Sequence, residues 1–541
     1  MSVTLTIHGA AGCVTGACFR LETPRAQLLV DCGMFQGSKS LKALNYERFP
    51  FDPRSIDGVL LTHAHIDHSG LLPKLVRAGY HGPIWATAGT RDLCGVMLAD
   101  SAHIQESEVE QLNRRNERRG RPTVQPIYTV KDAARAVELF RRIKLGDDVE
   151  VAPGITARWW NAGHILGSGS VEVTIEGDPP LKLLFSGDLG PGGRDFLADP
   201  EGPAGVDHLI MESTYGDEER PPMTSEGRRA LLAAELREAH AAGGPLLMPA
   251  FAVERTQELL VDLLQVMQEG AAPAADVFLD SPLAIEATEV FLQRGYNPSS
   301  QENPFQALHA GERLRFLEEP WESDRLESLR GWHVIMAASG MCDAGRIRKH
   351  LKRLLWRRDA TVLLSGFQVR GSLGRLLADG EHRVRIQGDD IQVRARVRSL
   401  DVYSGHADAN GLVRWASARR PVAGKVFLCH AEPSAAEALA DRLASAGFAA
   451  DSLVRPDIDD SFRLDAATAE RVDTPRLRKA PAHAADLDWH NARAALLEDL
   501  ESRLEAAPDD SARAALIEAL RQRLDADAKQ KLPAHEALAD R

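Results

Sequence analysis

The sequence predicts an α/β protein, because strand-like and helix-like segments alternate along it. Short apolar runs bounded by glycine or turn residues are typical of buried strands. Between them lie segments with apolar residues at helical spacing, such as SGLLPKLVRAGY at 69–80, ERTQELLVDLLQVMQ at 254–268 and AGRIRKHLKRLLWRR at 344–358. A third observation is that six strand-like runs end on a residue able to bind a metal ion or a proton.

These six runs come from distant parts of the chain. They are LLVD, GVLLTH, LLFSGD, HLIME, DVYSGH and KVFLCH, and they end on Asp31, His63, Asp188, Glu212, His406 and His430. Functional side chains of α/β proteins often gather at the carboxyl ends of strands. We therefore expect these residues to meet at one rim of a sandwich of sheets.

The composition is that of a globular protein with several domains. The 541 residues are 44% hydrophobic and 26% charged, which excludes a disordered chain, a collagen-like fibre and a coiled-coil rod. The length suggests about three domains, or two large domains and an extension. No run approaches the roughly 18 apolar residues of a membrane span, and the N-terminal MSVTLTIHGAAG lacks the regions of a signal peptide. We expect a cytoplasmic protein that does not bind a membrane.

The charge balance restricts how the protein can bind nucleic acid. With 65 basic and 78 acidic residues, the net charge is −13. Contact with a polyanion therefore requires local basic patches rather than bulk charge. The six cysteines include no CxxC pair, so we expect free thiols rather than disulfides or a cysteine zinc site.

The segment LTHAHIDHSG is the strongest local signal. It holds His63, His65, Asp67 and His68. Residues two apart on an extended segment point the same way, so His63 and His65 can face one ion. Asp67 and His68 follow the turn and can face a second ion. Nitrogen and carboxylate donors suit zinc, and so many of them in six residues are not typical of core packing.

The HxHxDH pattern resembles the signature of the metallo-β-lactamase fold. Asp31 in LLVDCG, His164 in NAGHILGSG and Asp188 in FSGDLG match further motifs of that fold in order. The resemblance implies two Zn²⁺ per chain, with Mn²⁺ as a substitute. The first zinc ligands would be His63, His65 and His164, and the second Asp67 and His68, with Asp188 bridging both ions. Asp31 would orient the ligands or the metal-bound hydroxide.

Three later motifs resemble those of the β-CASP nucleases. They are MESTYG with Glu212, SGHADANG with His406 and LCHAEP with His430. The resemblance covers roughly residues 1–460 and is closest to bacterial and archaeal relatives of the endonuclease subunit of cleavage and polyadenylation specificity factor. It implies that His430 completes the second zinc site and favours RNA over DNA. One departure is Glu254, where the family pattern leads us to expect glycine.

This resemblance predicts a domain organisation. We expect a metallo-β-lactamase αββα sandwich at 1–208 and 401–462, an inserted α/β β-CASP domain at 209–400, and a C-terminal helical extension at 463–541. Composition shifts near residue 462, and two apolar stripes follow at helical spacing, separated by PDDS at 508–511; they are Leu497, Leu500, Leu504, Ile517, Leu520 and Leu524. We interpret the extension as a helical hairpin that covers the body or pairs protomers of a homodimer.

The function implied is a zinc-dependent ribonuclease that hydrolyses single-stranded RNA in processing or decay. A hydroxide bridging the two ions would attack the phosphodiester. His406, oriented by Glu212, is the predicted general acid, since a carboxylate beside imidazole raises its pKa. The other interpretation of this pair is a structural ion contact. Endonucleolytic cleavage is expected, with 5′-exonucleolytic cleavage as the alternative mode.

Contacts with RNA are predicted from local charge and family-like loops. The basic helix after residue 345 offers Arg346, Arg348 and Lys349, and the loops offer Ser339 and Arg370. A second basic run, NRRNERRGR at 113–121, we interpret as a solvated helix face. Aromatic residues make up only 6% of the chain, which favours contact with the RNA backbone over base stacking.

Two other functions fit parts of the pattern. A metallo-β-lactamase-fold hydrolase could act on DNA or a small ester, although His430 and the long insertion count against it. An inactive RNA-binding scaffold subunit of a processing complex would need no catalysis, yet every ligand position here is filled.

Overall fold

The computed structural model describes residues 3–221, 223–295, 302–308, 313–366, 368, 372–473, 478, 496, 500, 503–504 and 506–530. The chain divides into two compact units, residues 1–485 and 486–541. None of the helices in the described residues combines the length and the apolar composition that crossing a membrane requires.

The strands of the first unit are listed here in chain order. They are β1 (Val3–Ile7), β2 (Phe19–Glu22), β3 (Gln27–Val30), β4 (Gly58–Leu60), β5 (Ile84–Thr87), β6 (Phe140–Ile143), β7 (Asp148–Ala152), β8 (Ile155–Asn161), β9 (Gly169–Ile175), β10 (Leu181–Phe185), β11 (His208–Glu212), β12 (Leu246–Pro249), β13 (Val277–Leu279), β14 (Leu314–Phe316), β15 (Val334–Ala337), β16 (Thr361–Leu364), β17 (Arg383–Ile386), β18 (Asp389–Gln392), β19 (Arg396–Ser399), β20 (Val426–Cys429), β21 (Leu453–Val454), β22 (Asp460–Leu464) and β23 (Ala469–Val472).

The helices are interspersed among these strands. They are α1 (Lys39–Leu44), α2 (Ile66–Ser69), α3 (Leu72–Arg77), α4 (Ala88–Arg118), α5 (Val130–Glu138), α6 (Ser225–Ala241), α7 (Arg255–Gln268), α8 (Pro282–Arg294), α9 (Pro320–Arg325), α10 (Ile347–Leu354), α11 (Leu373–Ala378), α12 (Ala409–Ser417), α13 (Pro433–Ser445) and α14 (Asp510–Gln530). Short 3₁₀ helices lie at Pro53–Ser55, Pro304–Leu308, Leu326–Ser328, Asp401–Tyr403 and Ala450–Ser452.

Two sheets pack face to face and form the predicted sandwich. One has the strand order β23-β22-β1-β2-β3-β4-β5-β6 and the other β21-β20-β11-β10-β9-β8-β7. A shared core lies between them, with Leu5 and Leu28 from the first sheet against Val171 and Phe427 from the second. Helices α3, α4 and α5 cover the outer face of the first sheet, and α12 and α13 cover that of the second. This αββα arrangement confirms the predicted fold class.

A third sheet is inserted into the second sheet of the sandwich. Its order is β14-β13-β15-β12-β16-β19, and all its pairs are parallel. The chain leaves the sandwich after β11 and returns on β20, which pairs in parallel with β11. Helices α6, α7 and α8 pack on one face of this sheet, and α10 and α11 pack on the other. The chain leaves the sandwich at the carboxyl end of β11, which places the inserted domain beside the carboxyl ends of the sandwich strands, and α12 then precedes its return at the amino end of β20.

Two of the predicted boundaries fall within strands of the sandwich. The boundary at 208/209 falls at the start of β11, a buried strand paired with β10 and β20. The boundary at 462/463 cuts β22, which pairs with β1 from Val3 to Ile7, and it omits β23. The physical reason is that both strands of the β22–β23 hairpin extend the first sheet at its edge. The boundary at 400/401 stays a prediction.

The predicted helical hairpin lies partly outside the described residues. Its second helix is α14, which begins at Asp510, within the PDDS segment. Ile517 is 41% exposed on this helix. The first apolar stripe includes Leu497, which lies outside the described residues, so the hairpin itself stays a prediction.

Candidate metal centre

The predicted metal ligands lie where strands and their following loops end. The chain stays extended from β4 through His63 to His65, and α2 then begins at Ile66, which places Asp67 and His68 in its first turns. His164 follows β8 and Asp188 follows β10. His430 comes directly after β20 with a positive φ of 53°. A left-handed backbone is uncommon outside glycine and is often found at functional sites.

The first cluster consists of His63, His65, His164 and one oxygen of Asp188. Nδ1 of His65 lies 3.2 Å from Nε2 of His63 and 3.1 Å from Nε2 of His164. Oδ2 of Asp188 lies 3.5 Å from Nε2 of both His63 and His164. Four donor atoms from three segments thus converge on one point.

The second cluster consists of Asp67, His68, His430 and the other oxygen of Asp188. Nε2 of His68 lies 3.2 Å from Nε2 of His430. Oδ1 of Asp188 lies 3.2 Å from Nε2 of His68 and 3.7 Å from Nε2 of His430. Oδ2 of Asp67 lies 3.5 Å from Nε2 of His430. Asp188 therefore directs one carboxylate oxygen at each cluster.

The donor atoms fit two divalent cations. Oδ1 of Asp188 is buried and makes no hydrogen bond of good geometry, although Nε2 of His68 lies 3.2 Å away; a cation would satisfy this oxygen. Burial, reinforced by neighbouring histidines, lowers the pKa of His63 and His164 well below its ordinary value. Burial also lowers the pKa of His65 to about 4. These rings are therefore neutral, as ligation requires.

His68 behaves differently in the absence of a cation. Burial lowers its pKa, but the charges of Asp188 and Asp31 outweigh burial and hold the pKa well above its ordinary value. The ring thus keeps a proton where two carboxylates face it. A divalent cation would replace this proton as the partner of Asp188.

The opposite edges of the ligand rings are held by hydrogen bonds. Nδ1 of His68 lies 2.7 Å from Oδ2 of Asp31, and Asp31 also accepts from the backbone N and the hydroxyl of Thr62, both at 2.8 Å. Nδ1 of His164 donates to the carbonyl oxygen of Gly405 at 2.8 Å. Such partners fix the tautomer and direction of a ligating ring.

Sequence reasoning missed Thr62, Thr214 and Gly405 as ligand-orienting residues. The hydroxyl of Thr214 lies 3.0 Å from Nδ1 of His430. Thr62 directly precedes His63, and Thr214 lies in MESTYG. The available signal was their position beside a candidate ligand or within a motif. The ring that each hydroxyl contacts, however, is decided by the fold.

His406 and Glu212 form a pair at the rim of the clusters. Nδ1 of His406 lies 3.2 Å from Oε2 of Glu212 and 4.0 Å from Oδ2 of Asp188. Burial lowers the pKa of His406, but the charge and hydrogen bond of Glu212 outweigh it and raise the pKa above its ordinary value. The His406 side chain is 21% exposed, against 2% for His164. His406 is thus the more accessible to a substrate.

The predicted RNA contacts on α10 are largely engaged within the fold. Arg346 donates to Asp280 at 2.6 Å and to the carbonyl oxygens of Leu317 and Glu318. Lys349 forms an ion pair with Asp324. These contacts argue against phosphate binding by Arg346.

The structure describes two of three further predicted RNA contacts. The hydroxyl of Ser339 and Nε of Arg348 are buried and have no hydrogen-bond partner. Arg370 lies outside the described residues. RNA binding by Ser339, Arg348, Lys349 and Arg370 stays a prediction.

Glu254 lies buried beside the loop that carries His164. Its φ is 68°, the left-handed region that favours glycine. Oε2 accepts a hydrogen bond from the backbone N of Leu166 at 3.0 Å, while Oε1 has no partner. Burial, reinforced by the charge of Glu258, raises the pKa of Glu254 to about 8.

The fold and the paired clusters together define a metallohydrolase. Models of three families match the chain in order: the metallo-beta-lactamase superfamily at residues 11–231, the Beta-Casp domain at 256–377, and the Zn-dependent metallo-hydrolase RNA specificity domain at 390–452. The third match includes His406 and His430.

Curated relatives agree with these matches. Ribonuclease TTHA0252 of Thermus thermophilus is 34% identical over 447 residues, covering 81% of this chain and 95% of the relative. The RNase J-like protein of Methanocaldococcus jannaschii is 28% identical, covering 80% and 93%. Transcription termination factor FttA of Methanothermobacter thermautotrophicus is 29% identical, covering 79% and 67%. The chain belongs to the β-CASP family of the metallo-β-lactamase superfamily, which confirms the predicted family.

Proposed function

We propose that this protein is a zinc-dependent ribonuclease that hydrolyses single-stranded RNA. The observation that carries the proposal is the pair of clusters joined by Asp188, with His406 beside it on an RNA specificity domain. Relatives named as ribonucleases share the family, and they support the class of enzyme, a metal-dependent ribonuclease. The identity of the ions as zinc, their number and the single-stranded substrate are our proposals.

The proposed metal ligands divide between the two clusters. His63, His65 and His164 would hold one ion, Asp67, His68 and His430 the other, and Asp188 both. When bound, the ions supply activation of water and neutralisation of phosphate charge. Mn²⁺ has the same preference for nitrogen and oxygen donors and could substitute for zinc. Asp31 would act through His68, by fixing the ring that it contacts.

His406 is the proposed proton donor to the leaving 3′-oxygen. Glu212 accepts from Nδ1 of His406, which leaves Nε2 to carry the transferred proton. Glu212 is itself held by the backbone N of Leu189. The raised pKa of His406 favours the protonated ring, the form in which a general acid donates. The pair is thus suited to proton transfer as well as to structural pairing.

Location and assembly are also proposals. All six cysteines are free and buried, which supports a reducing compartment such as the cytoplasm. We also propose that the protein forms a homodimer and acts in RNA processing or decay.

The function is tested by a time course on matched single-stranded RNA and DNA. Both strands carry a 5′ label, and products of the zinc-loaded protein are resolved on a denaturing gel. We expect cleavage of RNA only, into fragments of intermediate length; immediate release of labelled mononucleotide would show the 5′-exonucleolytic mode. Cleavage of DNA at a similar rate would favour the alternative hydrolase. Two bound metal ions with no cleavage of either strand would favour the scaffold function.

A further inference from the structure

Helix α4 extends beyond the body of the first unit. Its buried residues all lie between Gly89 and Ala102. Beyond them, most residues of 103–126 are exposed. The helix continues to Arg118, which adds about 24 Å at 1.5 Å per residue. We call residues 103–126 the arm.

The arm is held in shape by specific hydrogen bonds. The side chain of Asn113 accepts from the backbone N of Val124 at 2.8 Å and donates to its carbonyl oxygen at 3.0 Å. Asn116 donates to the carbonyl oxygen of Pro122, and Arg77 donates to that of Pro126 at the base. An exposed helix of this length is marginally stable by itself. These hydrogen bonds hold the segment that follows the helix, residues 119–126, against it where no hydrophobic core supports it.

The end of the arm carries a net positive charge, because residues 113–121 hold five arginines and one acidic residue, Glu117. The arginine tip consists of Arg114, Arg115, Arg118, Arg119 and Arg121, all exposed. Among the described residues, Arg114 alone of these five forms an ion pair, with Glu110 at 2.6 Å. A helix dipole favours cations in the last turn, but Arg119 and Arg121 lie beyond the helix. This concentration of charge stands out in a chain of net charge −13.

We propose that the arginine tip is an RNA-binding site outside the active site, which contacts the phosphate backbone. Guanidinium groups pair well with phosphate oxygens, and exposed ones bind without first losing an internal partner. The proposal rests on the proposed ribonuclease function. It replaces the interpretation of 113–121 as a solvated helix face.

The position of the tip determines which RNAs it contacts. At the opposite end of α4, the hydroxyls of Thr87 and Thr90 donate to the carbonyl oxygen of Gly167, in the loop that follows His164. The 31 residues of α4 span about 46 Å from that loop. At the 3.4 Å per nucleotide of a fully stacked strand, this span corresponds to about 14 nucleotides, and a more extended single strand covers it with fewer. A pentanucleotide bound at the metal centre is too short to touch the tip.

The test compares two lengths of RNA. The variant R115A/R118A/R119A/R121A neutralises the four unpaired arginines, and R54A/R141A/R385A/R394A is a control with the same change of charge on other exposed arginines. Anisotropy measures the affinity for labelled RNAs of about 40 and about five nucleotides over a range of salt, and cleavage is followed in parallel. We expect the arm variant to bind the long RNA at least tenfold more weakly at low salt. Its salt slope should fall by about 3, at roughly 0.7 per lost contact.

Binding and cleavage of the short RNA show whether the tip acts separately from the active site. Unchanged binding and cleavage of the short RNA by the arm variant, with wild-type behaviour of the control variant, would support the tip as a separate site. Equal losses on both lengths, equal losses in both variants, or no loss on the long RNA would overturn it. Failure of the wild-type protein to cleave either RNA would count against the proposed function alone, because binding of the long RNA still reports on the tip.

Discussion

His406 combines a carboxylate partner with access to solvent, so its replacement separates proton transfer from metal binding. His406 is not in either group of predicted ligands, and Nδ1 faces Glu212. We expect His406→Ala to keep its full metal content and to lose RNA cleavage by about 10²–10⁴-fold, the usual contribution of a general acid. Metal analysis together with single-turnover cleavage measures both properties. Wild-type cleavage by this variant would remove His406 from the mechanism.

The carboxylate of Glu212 should set the pH range of cleavage. It raises the pKa of His406, so Glu212→Gln lowers that pKa. A general acid must be protonated, and cleavage therefore declines as pH rises through its pKa. We expect the alkaline limb of the pH profile of kcat/KM to move to lower pH in Glu212→Gln, but not in Glu219→Gln, whose carboxylate pairs with Arg442 on the surface. An unmoved limb would contradict the pairing.

Glu254 should make stability depend on pH. The unfolded carboxyl ionises near its ordinary value of 4.5, whereas the folded one keeps its proton up to about 8. The free energy of unfolding should therefore fall as pH rises between these values, at up to about 1.4 kcal/mol per unit. We expect Glu254→Gln to remove this decline and to be more stable than wild type at pH 8, in denaturant titrations. Identical pH profiles would mean that the carboxyl ionises freely.

Glu254 also shows how much of one residue's environment can be predicted from the sequence. The family pattern leads one to expect glycine at 254, and the φ of 68° explains that preference. The burial of the carboxyl and its bond to Leu166 depend on a loop 88 residues away in the chain. Sequence reasoning could identify the unusual residue, but its partner was set by packing between domains.

Among the elements, helix α10 is anchored by its basic residues. Arg346 and His350 both lie 2.6 Å from the buried carboxylate of Asp280. We expect Arg346→Met to lower the free energy of unfolding by about 1–3 kcal/mol, because a charged partner of a buried carboxylate is lost. The folded variant should bind RNA as wild type does, as should the exposed control Arg358→Ala. Weaker RNA binding with unchanged stability would restore Arg346 as an RNA contact.

The elements also show why the clustering of the candidate ligands was predictable from sequence and the pairing of the α10 cations was not. A strand that ends on His or Asp carries its signal locally, as His63 and His430 do. The neutralisation of a basic helix is decided by acids on other elements, as with Lys352, which pairs with Asp389 on β18. Periodicity identifies such a helix but not the face on which its partners lie.

On the scale of the whole molecule, packing on the sandwich continues beyond residue 462. Asp459 contacts both His8 and Arg478 at 2.7 Å, so Arg478, beyond β23, still packs on the sandwich. We expect truncation after residue 485 to leave stability and metal content unchanged. Truncation after 462 removes buried Leu464, β23 and Arg478, and should cost about 3 kcal/mol or more. Thermal unfolding of both truncated proteins tests this prediction. Equal melting temperatures would show that the β22–β23 hairpin is dispensable for stability.

The carboxylate of Asp188 joins two clusters that are completed at very different points of the chain. All donors of the first cluster are present once residue 188 has been made, whereas the second waits for His430. Because a domain folds as a unit, and both sheets of the sandwich take strands from after the inserted sheet, a chain still being synthesised holds every donor of the first cluster before its sandwich is complete. We therefore expect both ions to be bound only after β20 to β23 have been added.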